Sequence, residues 1–311
     1  MIGIGDIMFQ PNKRTRAALV LIAGFAILAT AACSKSRLGS SGDLNPTSSP
    51  AESVVATLNS LANDSEATSF SFEDSPVLQS QSAACKASSA KSACNVTNQV
   101  AVNWSDCAGA NGQTLSGGWI NTYSNTRACV VAQTGPLASG DSLTRTSGGM
   151  AIKGLYGGTL TWSTILHLTY DYTTIPNTGL VVSRLGNSRS ITLNGLRRTL
   201  QDANGKTVYD LSIVSQSAVM ITGQRNNGSR IINSGNVRVY NNTDKFTSDN
   251  SFSNVEWLNA GCAFPTAGTI STSFSGSKNG ITMLTFTTTC GQAKLTDTNG
   301  SKQTIDLKQT E

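Results

Sequence analysis

The clearest pattern of apolar and polar positions runs from Thr159 to Tyr172, where apolar residues occupy alternate positions. Successive side chains of a β-strand point to opposite faces, so this alternation predicts one long, half-buried strand. The predicted buried face holds Leu160, Trp162, Leu166, Leu168, Tyr170 and Tyr172, and the predicted exposed face holds Thr161, Ser163, His167, Thr169 and Asp171. Ile165 is the one apolar residue that breaks the alternation.

Two similar segments, residues 200–211 and 295–307, each contain Asp-x-Asn-Gly between alternating runs. Asn-Gly predicts two-residue hairpins with type I′ turns, because both turn positions need a positive φ. The aspartates Asp202 and Asp297 could also begin calcium loops, but both segments lack the bidentate glutamate that closes such a loop. We therefore interpret the segments as hairpins and predict an all-β fold. The predicted architecture is a curved antiparallel sheet, as an open barrel, a sandwich or a meander.

The first 32 residues have the pattern of an export signal. Basic residues at 13, 14 and 16 precede an uncharged apolar run over residues 17–29, which small residues then follow. A basic start, a short apolar run and a small-residue cleavage site are typical of secretory signals. The run is too short to span a bilayer as a helix. Residues 1–32 are thus a predicted signal peptide, with either Met1 or Met8 as its start.

Thr30, Ala31 and Ala32 lead directly to Cys33, and this block resembles the lipobox of bacterial lipoproteins. Thr30 departs from that pattern, because leucine is usual at its position. The resemblance implies a diacylglyceryl thioether on Cys33 and an acylated amino terminus, so the expected partner of this end is a membrane. With Ser34 next in the chain, the resemblance also implies sorting to the outer membrane. An ordinary signal peptide or a short anchor helix is the alternative.

The mature chain divides into three predicted parts. Residues 33–48 are rich in Ser, Gly and Pro and form a lipidated flexible tether. Residues 49–94 form a short helix and a loop, because the block Ser49-Pro50-Ala51-Glu52 has the spacing of a helix capping box. Residues 95–311 form the antiparallel β domain.

Six cysteines follow Cys33, and an even number in an exported chain predicts disulfide bonds. They are Cys85, Cys94, Cys107, Cys129, Cys262 and Cys290. We expect sequential pairing, in which each bond closes a hairpin or loop. No Cys-x-x-Cys occurs and the chain has one histidine, so neither a metal nor another cofactor is predicted.

Basic residues are concentrated in the middle of the chain. Residues 172–243 contain eight lysines and arginines against two aspartates. Guanidinium groups bind phosphate and carboxylate well, so Arg197, Arg198, Arg225 and Arg230 are a candidate site for an anionic glycolipid or polysaccharide. The alternatives are arginines that protect strand edges, or docking against the acidic segment 43–85. Nucleic acid is not an expected partner, because the aromatic interleaving of single-strand binders is missing.

Catalytic motifs are sparse. Gly140-Asp141-Ser142-Leu143 matches the block of the GDSL esterases and lipases, but the expected Asp-x-x-His near the carboxyl end is absent. His167 has no evident partner, and the four tryptophans suit core packing better than sugar stacking. Carboxylates that could serve a glycan hydrolase are Asp106, Asp141, Asp171, Asp210 and Glu256, although no spacing pairs them. We therefore expect a non-enzymatic structural or binding domain, with a hydrolase or a lipid carrier as alternatives.

The C-terminal part also carries a resemblance. Val255-Glu256-Trp257, then Cys262-Ala263-Phe264-Pro265, Gly268, Phe286 and Cys290-Gly291 are similar to a pattern in uncharacterised β-rich lipoproteins of Gram-negative envelopes. Trp104, Cys107 and Thr114-Leu115-Ser116-Gly117 extend it upstream. The resemblance implies the same fold and location, and it implies no activity.

Overall fold

The computed structural model describes residues 90–108, 114–132, 137–154, 157–224, 229–258, 262 and 264–307. The predicted signal peptide, tether and N-terminal helix lie outside the described residues, as do Cys33, Cys85 and Arg225. Among the described residues, no helix has the length and apolar character needed to cross a membrane.

Sixteen strands and one helix make up the described chain. The first eight strands are β1 (Ala90–Lys91), β2 (Gln99–Ala108), β3 (Thr114–Tyr123), β4 (Ser142–Lys153), β5 (Thr159–Ser163), β6 (His167–Leu168), β7 (Thr174–Ile175) and β8 (Gly179–Leu185). The others are β9 (Ser188–Gln201), β10 (Thr207–Gln224), β11 (Ser229–Asn241), β12 (Phe246–Trp257), β13 (Ala267–Gly276), β14 (Gly280–Phe286), β15 (Gln292–Thr296) and β16 (Lys302–Asp306). Helix α1 spans Thr126–Val131.

Fourteen of the strands form one antiparallel sheet. Its order is β1-β2-β3-β4-β5-β9-β10-β11-β12-β13-β14-β15-β16, and β8 pairs with both β4 and β9. From β9 to β16 each strand pairs with the next strand along the chain, which is a meander. The prediction of an all-β antiparallel fold is therefore confirmed. The sheet includes β1, which lies upstream of residue 95, where we placed the start of the β domain.

The hydrophobic core covers one face of this sheet, here called the inner face. Its main cluster includes Val102 of β2 and Leu295 of β15, close to the two ends of the strand order, and Leu160 and Leu200 form a small second cluster. Strands so far apart can share a core only if the sheet curls around it. Strands β9 and β10 bend together, because their pairing shifts register between Ile213 and Val219. The opposite face of the sheet is called the outer face.

The two Asp-x-Asn-Gly segments form hairpin loops of the same geometry. The carboxylate of Asp202 accepts hydrogen bonds from the backbone N–H of Asn204 and Lys206, both at 2.9 Å. Asp297 holds its own loop in the same way. Only the glycine of each loop has a positive φ, 78° at Gly205 and 79° at Gly300. The hairpins are confirmed and the type I′ prediction is wrong, because a type I turn followed by a left-handed glycine needs only one positive φ.

Two disulfide bonds are defined among the described residues. Cys262 pairs with Cys290, as predicted, and the other bond joins Cys94 to Cys129 across 35 residues. The expected pairs Cys85–Cys94 and Cys107–Cys129 are therefore wrong. Helix α1 carries Cys129 and packs against β3, which brings it to the chain just before β2. Cys107 is also disulfide-bonded.

The predicted strand from Thr159 to Tyr172 is interrupted after Ser163. Thr164 is fixed to β4 instead, since its N–H donates to the carbonyl of Ser147 and its hydroxyl accepts from the N–H of Ser147, each at 2.9 Å. The chain then leaves the large sheet and forms the separate two-stranded pair of β6 and β7. Residues 164–176 are called the hairpin below.

Candidate functional site

The hairpin lies on the outer face of the sheet. Leu211 and Ile213 of β10 belong to the core, so the side chain of Ser212 between them points to the outer face. Ser212 is nevertheless 0% exposed. Its hydroxyl is 2.9 Å from Nε2 of His167 in β6, which shows that the hairpin covers this part of β10.

His167 links the hairpin to the sheet through Nε2, while Nδ1 bonds within the hairpin. Nδ1 is 2.6 Å from the carbonyl oxygen of Ile165, which can only accept, so Nδ1 carries the proton. Nε2 is then the acceptor for the hydroxyl proton of Ser212. The amide Nδ2 of Asn242 donates to the same hydroxyl oxygen at 3.0 Å. Every polar atom at this contact thus has a partner, as a buried polar site requires.

An ion pair extends this network along the outer face. Arg197 forms a bidentate pair with Asp210, with Nε–Oδ1 at 2.8 Å and Nη2–Oδ2 at 2.5 Å. Asn242 joins the pair to Ser212, because its Nδ2 also lies 3.2 Å from Oδ1 of Asp210. The hydrogen bonds to Asp210 raise the pKa of Arg197, against the opposing effect of burial. Such a forked pair fixes the orientation of both side chains on the outer face.

Two further contacts fix the ends of the hairpin. The N–H of Tyr170 donates to Oδ1 of Asn242 at 3.0 Å, and the Tyr170 hydroxyl lies 2.9 Å from Oγ1 of Thr247. At the other end, Ile175 is 1% exposed and packs onto β9 at Gly195. A Cβ at Gly195 would lie 1.6 Å from the carbonyl oxygen of Pro176, so only glycine lets the hairpin approach this closely.

The turn of the hairpin is built around Asp171. Its carboxylate accepts hydrogen bonds from the Thr169 hydroxyl and, at 3.1 Å, from the Thr173 N–H. Desolvation raises the pKa of Asp171, but these hydrogen bonds outweigh it and lower the pKa below its ordinary value. Tyr172 completes the turn with a φ of 64°.

Four apolar side chains of the hairpin are exposed. Ile165 is 55% exposed, Leu166 is 54%, Leu168 is 57% and Tyr172 is 84%. These four residues are called the apolar cluster. Alternate side chains from Leu166 to Thr169 do face opposite sides, but the predicted faces are reversed there, because His167 and Thr169 face the sheet while the leucines face outward. Exposed apolar groups of this kind mark contact sites more often than isolated exposed residues do.

Ser212 and His167 have the atoms of a nucleophile and its base, but their placement does not suit catalysis. An attacking hydroxyl must reach the substrate while the base stays within hydrogen-bond distance of it. Ser212 has no exposed surface, and the hairpin that covers it also carries His167. Opening the hairpin would expose the hydroxyl and remove the base in one movement. The pair is therefore suited to holding the hairpin in place.

The GDSL block has a structural role. Ser142 lies in β4, and His167 is engaged with Ser212. The carboxylate of Asp141 is 2% exposed and accepts hydrogen bonds from Nη2 of Arg127 at 2.5 Å and from the Ala138 N–H at 3.2 Å. It thereby ties helix α1 to the start of β4.

The predicted arginine surface is not formed as expected. Arg198 is 3% exposed and Arg230 is 1% exposed, since both lie on the inner face, and Arg225 lies outside the described residues. The guanidinium carbon of Arg230 stacks 4.1 Å from the ring centroid of Trp257, and this cation–π contact offsets part of the cost of burial. Arg197 is on the outer face but is held by Asp210. Neighbouring residues of a strand point to opposite faces of the sheet. A count of arginines along the sequence therefore does not show that they share one surface.

Three of the five candidate carboxylates are engaged by separate groups. Asp141 is bound to Arg127, Asp210 to Arg197, and Asp171 to its own turn. No group of three or more metal-binding side chains occurs within the described part of the chain. Trp104 and Trp119 pack edge to face on the inner face, with ring centroids 4.6 Å apart, as expected for core residues.

Comparison of the chain with protein-family models, with curated proteins and with solved structures gave no match.

Proposed function

We propose that the chain is a lipid-anchored envelope protein whose β domain is a non-enzymatic binding module, with the apolar cluster of the hairpin as its contact element. The sequence supports the anchor through the lipobox-like block ending at Cys33. Disulfide bonds such as Cys262–Cys290 are consistent with an oxidising compartment.

The outward direction of the apolar cluster carries this proposal. Leaving leucine in water rather than burying it costs roughly 1.5–3 kcal/mol per side chain. The hairpin nevertheless turns His167 and Thr169 toward the sheet and exposes Leu166 and Leu168, at 54% and 57%. A partner that covers these leucines recovers the lost free energy, which gives a physical reason for the arrangement.

The alternative functions have less support. A glycan hydrolase of the usual kind needs two facing carboxylates at roughly 5–10 Å, whereas Asp141, Asp171 and Asp210 are each held by separate groups. A lipid carrier needs an apolar cavity, whereas side chains of the core cluster pack across the inner face. The arginine site for anionic glycans loses two of its four members to burial, Arg198 and Arg230.

Photocrosslinking in intact cells tests the contact element. A benzophenone amino acid replaces Leu168 in one strain and Ile281 in the control strain, because Ile281 of β14 is similarly exposed, at 61% against 57%. We expect envelope components to crosslink at position 168 well above the level at position 281. Equal, background crosslinking at the two positions would contradict the proposal.

The anchor has its own test. A Cys33→Ala chain should lose metabolic labelling with fatty acid and should stay unprocessed or be released from the membrane fraction. Continued labelling and normal maturation of this variant would show that Cys33 is not the lipidated residue.

A further inference from the structure

We propose that residues 64–85 of the chain lie across the inner face of the sheet, where their carboxylates bind buried arginines. The carboxylates are those of Asp64, Glu66, Glu73 and Asp74. The arginines are Arg189, Arg198 and Arg230, here called the inner arginines. The inference goes beyond the proposed function, and one of its steps rests on the proposed lipid on Cys33.

The inner arginines are buried among core residues. Arg189 is 6% exposed, Arg198 is 3% and Arg230 is 1%. Their partners across the strand ladders belong to the core and are, in the same order, Ile221, Leu211 and Trp257. Burying a guanidinium group costs free energy unless its charge is compensated, and a carboxylate is the most effective partner. The inner face therefore favours negative charge close to these residues.

Two of the inner arginines meet at the end of β10. Arg189 donates from Nη2 to the carbonyl oxygen of Gly223, and Gly223 is paired with Arg230 between β10 and β11. A further arginine, Arg184 of β8, stands directly opposite Arg189 of β9. Like charges directly opposite each other destabilise a sheet. A carboxylate at this place would relieve the repulsion as well as the cost of burial.

The carboxylates of the neighbouring strands point to the other face. Asp210 of β10 adjoins Leu211, and Glu256 of β12 adjoins Trp257, and both of these neighbours belong to the core. Successive side chains of a strand alternate, so the two carboxylates lie on the outer face. Asp210 binds Arg197 there. These two carboxylates therefore cannot compensate the inner arginines.

The acidic segment has the composition that the inner face favours. Residues 43–85 contain six acids and no lysine, arginine or histidine. Four of the acids lie within residues 64–85, where Phe70, Phe72, Val77 and Leu78 are interspersed with them. The carboxylates can form forked pairs with guanidinium groups. The apolar side chains suit a face that consists mainly of core residues.

A disulfide bond brings this segment to the inner face. The chain has seven cysteines, and the two defined bonds use four of them. Cys107 is also disulfide-bonded, so its partner in the chain is Cys33 or Cys85. A lipid thioether on Cys33 occupies that sulfur, which leaves Cys85. Because Cys107 is 2% exposed and belongs to the core, the bond fixes the end of the acidic segment at the inner face.

The distance from this bond to the nearest inner arginine is within reach of the segment. Cys107 begins a row of paired residues that continues through β3, β4 and β5 to Leu200 of β9. Arg198 is two residues away on the same strand, which places it roughly 20 Å from Cys107 at about 4.8 Å per strand. Asp74 precedes Cys85 by 11 residues, which can extend to about 36 Å. The acids farther upstream can reach the end of β10.

The contact sets the length of the connection between the proposed lipid and the domain. That connection ends before Asp64, whereas β1 begins at Ala90. A shorter connection limits the volume that the domain can explore around its anchor. The acidic segment thus acts as a strap that holds the domain close to the anchored end of the chain.

Peptide mapping of the purified mature protein without reduction tests the covalent step. We expect one linked pair of peptides that contain Cys85 and Cys107, together with a lipidated peptide that begins at Cys33. A bond between Cys33 and Cys107 would overturn this inference and the proposed anchor together. A Cys33 without lipid, beside an intact Cys85–Cys107 bond, would overturn the anchor and leave the strap standing.

Photocrosslinking within the mature protein tests the contact itself. Benzoylphenylalanine replaces Phe72 in one protein and, as the control, Leu44 of the predicted tether in another. At high dilution we expect crosslinks from position 72 to inner-face residues near Arg198 or Arg230, and none from position 44. Crosslinks confined to the outer face, or no crosslinks from position 72, would overturn the inference. Crosslinks between copies would identify the segment of a second copy as the occupant and would overturn it as well.

Charge reversal tests the role of the carboxylates. Glu73→Lys/Asp74→Lys should speed chymotryptic cleavage after Phe70 by about tenfold or more, relative to a free peptide with the same substitutions, because it removes buried ion pairs that hold the segment. Asp43→Lys/Glu52→Lys changes the net charge equally and should leave this rate unchanged. Equal cleavage rates in all three proteins would overturn the ion pairs.

Discussion

Ser212 and His167 set the position of the hairpin at the level of single residues. Ser212 is a small polar residue on the outer face, and its hydroxyl needs a partner once the hairpin covers it. His167 supplies an acceptor, and Asn242 supplies a donor from the turn after β11. The interaction is local and fully satisfied, so its loss should loosen the hairpin and leave the large sheet intact.

A double-mutant cycle measures this contact. His167→Ala should lower the free energy of unfolding by about 1–3 kcal/mol, because it leaves Ser212 without its acceptor. In a protein that already carries Ser212→Ala, His167→Ala should lower the free energy of unfolding by less. The expected coupling energy between the two sites is about 1 kcal/mol. Urea denaturation provides the free energies, and hydrogen exchange of residues 164–176 locates the change. Additive effects would mean that the two side chains do not interact.

Asp171 makes the hairpin turn sensitive to acid. Its pKa is lowered in the folded protein, so the stability that it contributes is complete above the ordinary carboxyl pKa of 3.8 and is lost as the pH falls through the lowered pKa. Amide exchange at Thr173 should therefore accelerate below about pH 4 relative to its intrinsic rate. Asp171→Asn should remove this pH dependence. An acid response that is the same in both proteins would place its origin elsewhere.

At the scale of elements, the hairpin shows which structural features the sequence pattern predicts and which it cannot predict. Alternation correctly identified β5 and the short strand β6, but it joined them into one strand, and Asp-x-Asn-Gly correctly located two hairpins. Alternation cannot say which face meets the protein, because that depends on partners distant in sequence such as Ser212 and Asn242. Ile165 was the available signal, because it breaks the alternation and a shift of one residue moves the following side chains to the other face.

Gly195 allows the hairpin to dock on β9. In the β9–β10 pairing it is the extra residue of a bulge between Asn194 and Leu196, with a φ of 93°. Gly195→Ala should lower the free energy of unfolding by about 2–5 kcal/mol. The loss combines the strain of an alanine in a left-handed backbone with the collision of its Cβ with the Pro176 carbonyl. Gly205→Ala is the matched control, since its φ is 78° and no atom lies within 4 Å of the added Cβ. It should cost only about 1–2 kcal/mol in the same urea denaturation. Equal losses would show that the hairpin does not approach β9 closely.

At the scale of the whole molecule, the sheet curls around its main core, and two disulfide bonds crosslink segments outside the strands. The bond Cys94–Cys129 ties the segment before β2 to helix α1, and Cys262–Cys290 ties the β12–β13 connection to the β14–β15 turn. Fold class followed from composition and alternation, because both depend on local geometry. The first disulfide pairing did not, because helix α1 has only six residues and leaves too little periodicity to recognise.

The arginines illustrate the same limit for the candidate site. Arg197 and Arg198 are neighbours in sequence, yet one binds Asp210 on the outer face and the other is buried on the inner face. Adjacent charged residues on a strand therefore lie on opposite faces of the sheet and in different environments. The candidate contact site that the structure does present is the apolar cluster. In the sequence it lies within a segment that was predicted to be a half-buried strand.

Hydroxyl-radical footprinting of the purified mature protein tests the central claim most directly, because it reports the exposure of individual side chains. Leu166, Leu168 and Tyr172 should be oxidised at rates comparable with that of Ile281, once intrinsic reactivity is taken into account. Leu160, 1% exposed in the preceding strand, should be protected. Protection of Leu166, Leu168 and Tyr172 to the level of Leu160 would mean that the apolar cluster is buried, which would contradict the outward direction of the hairpin and the contact role built on it.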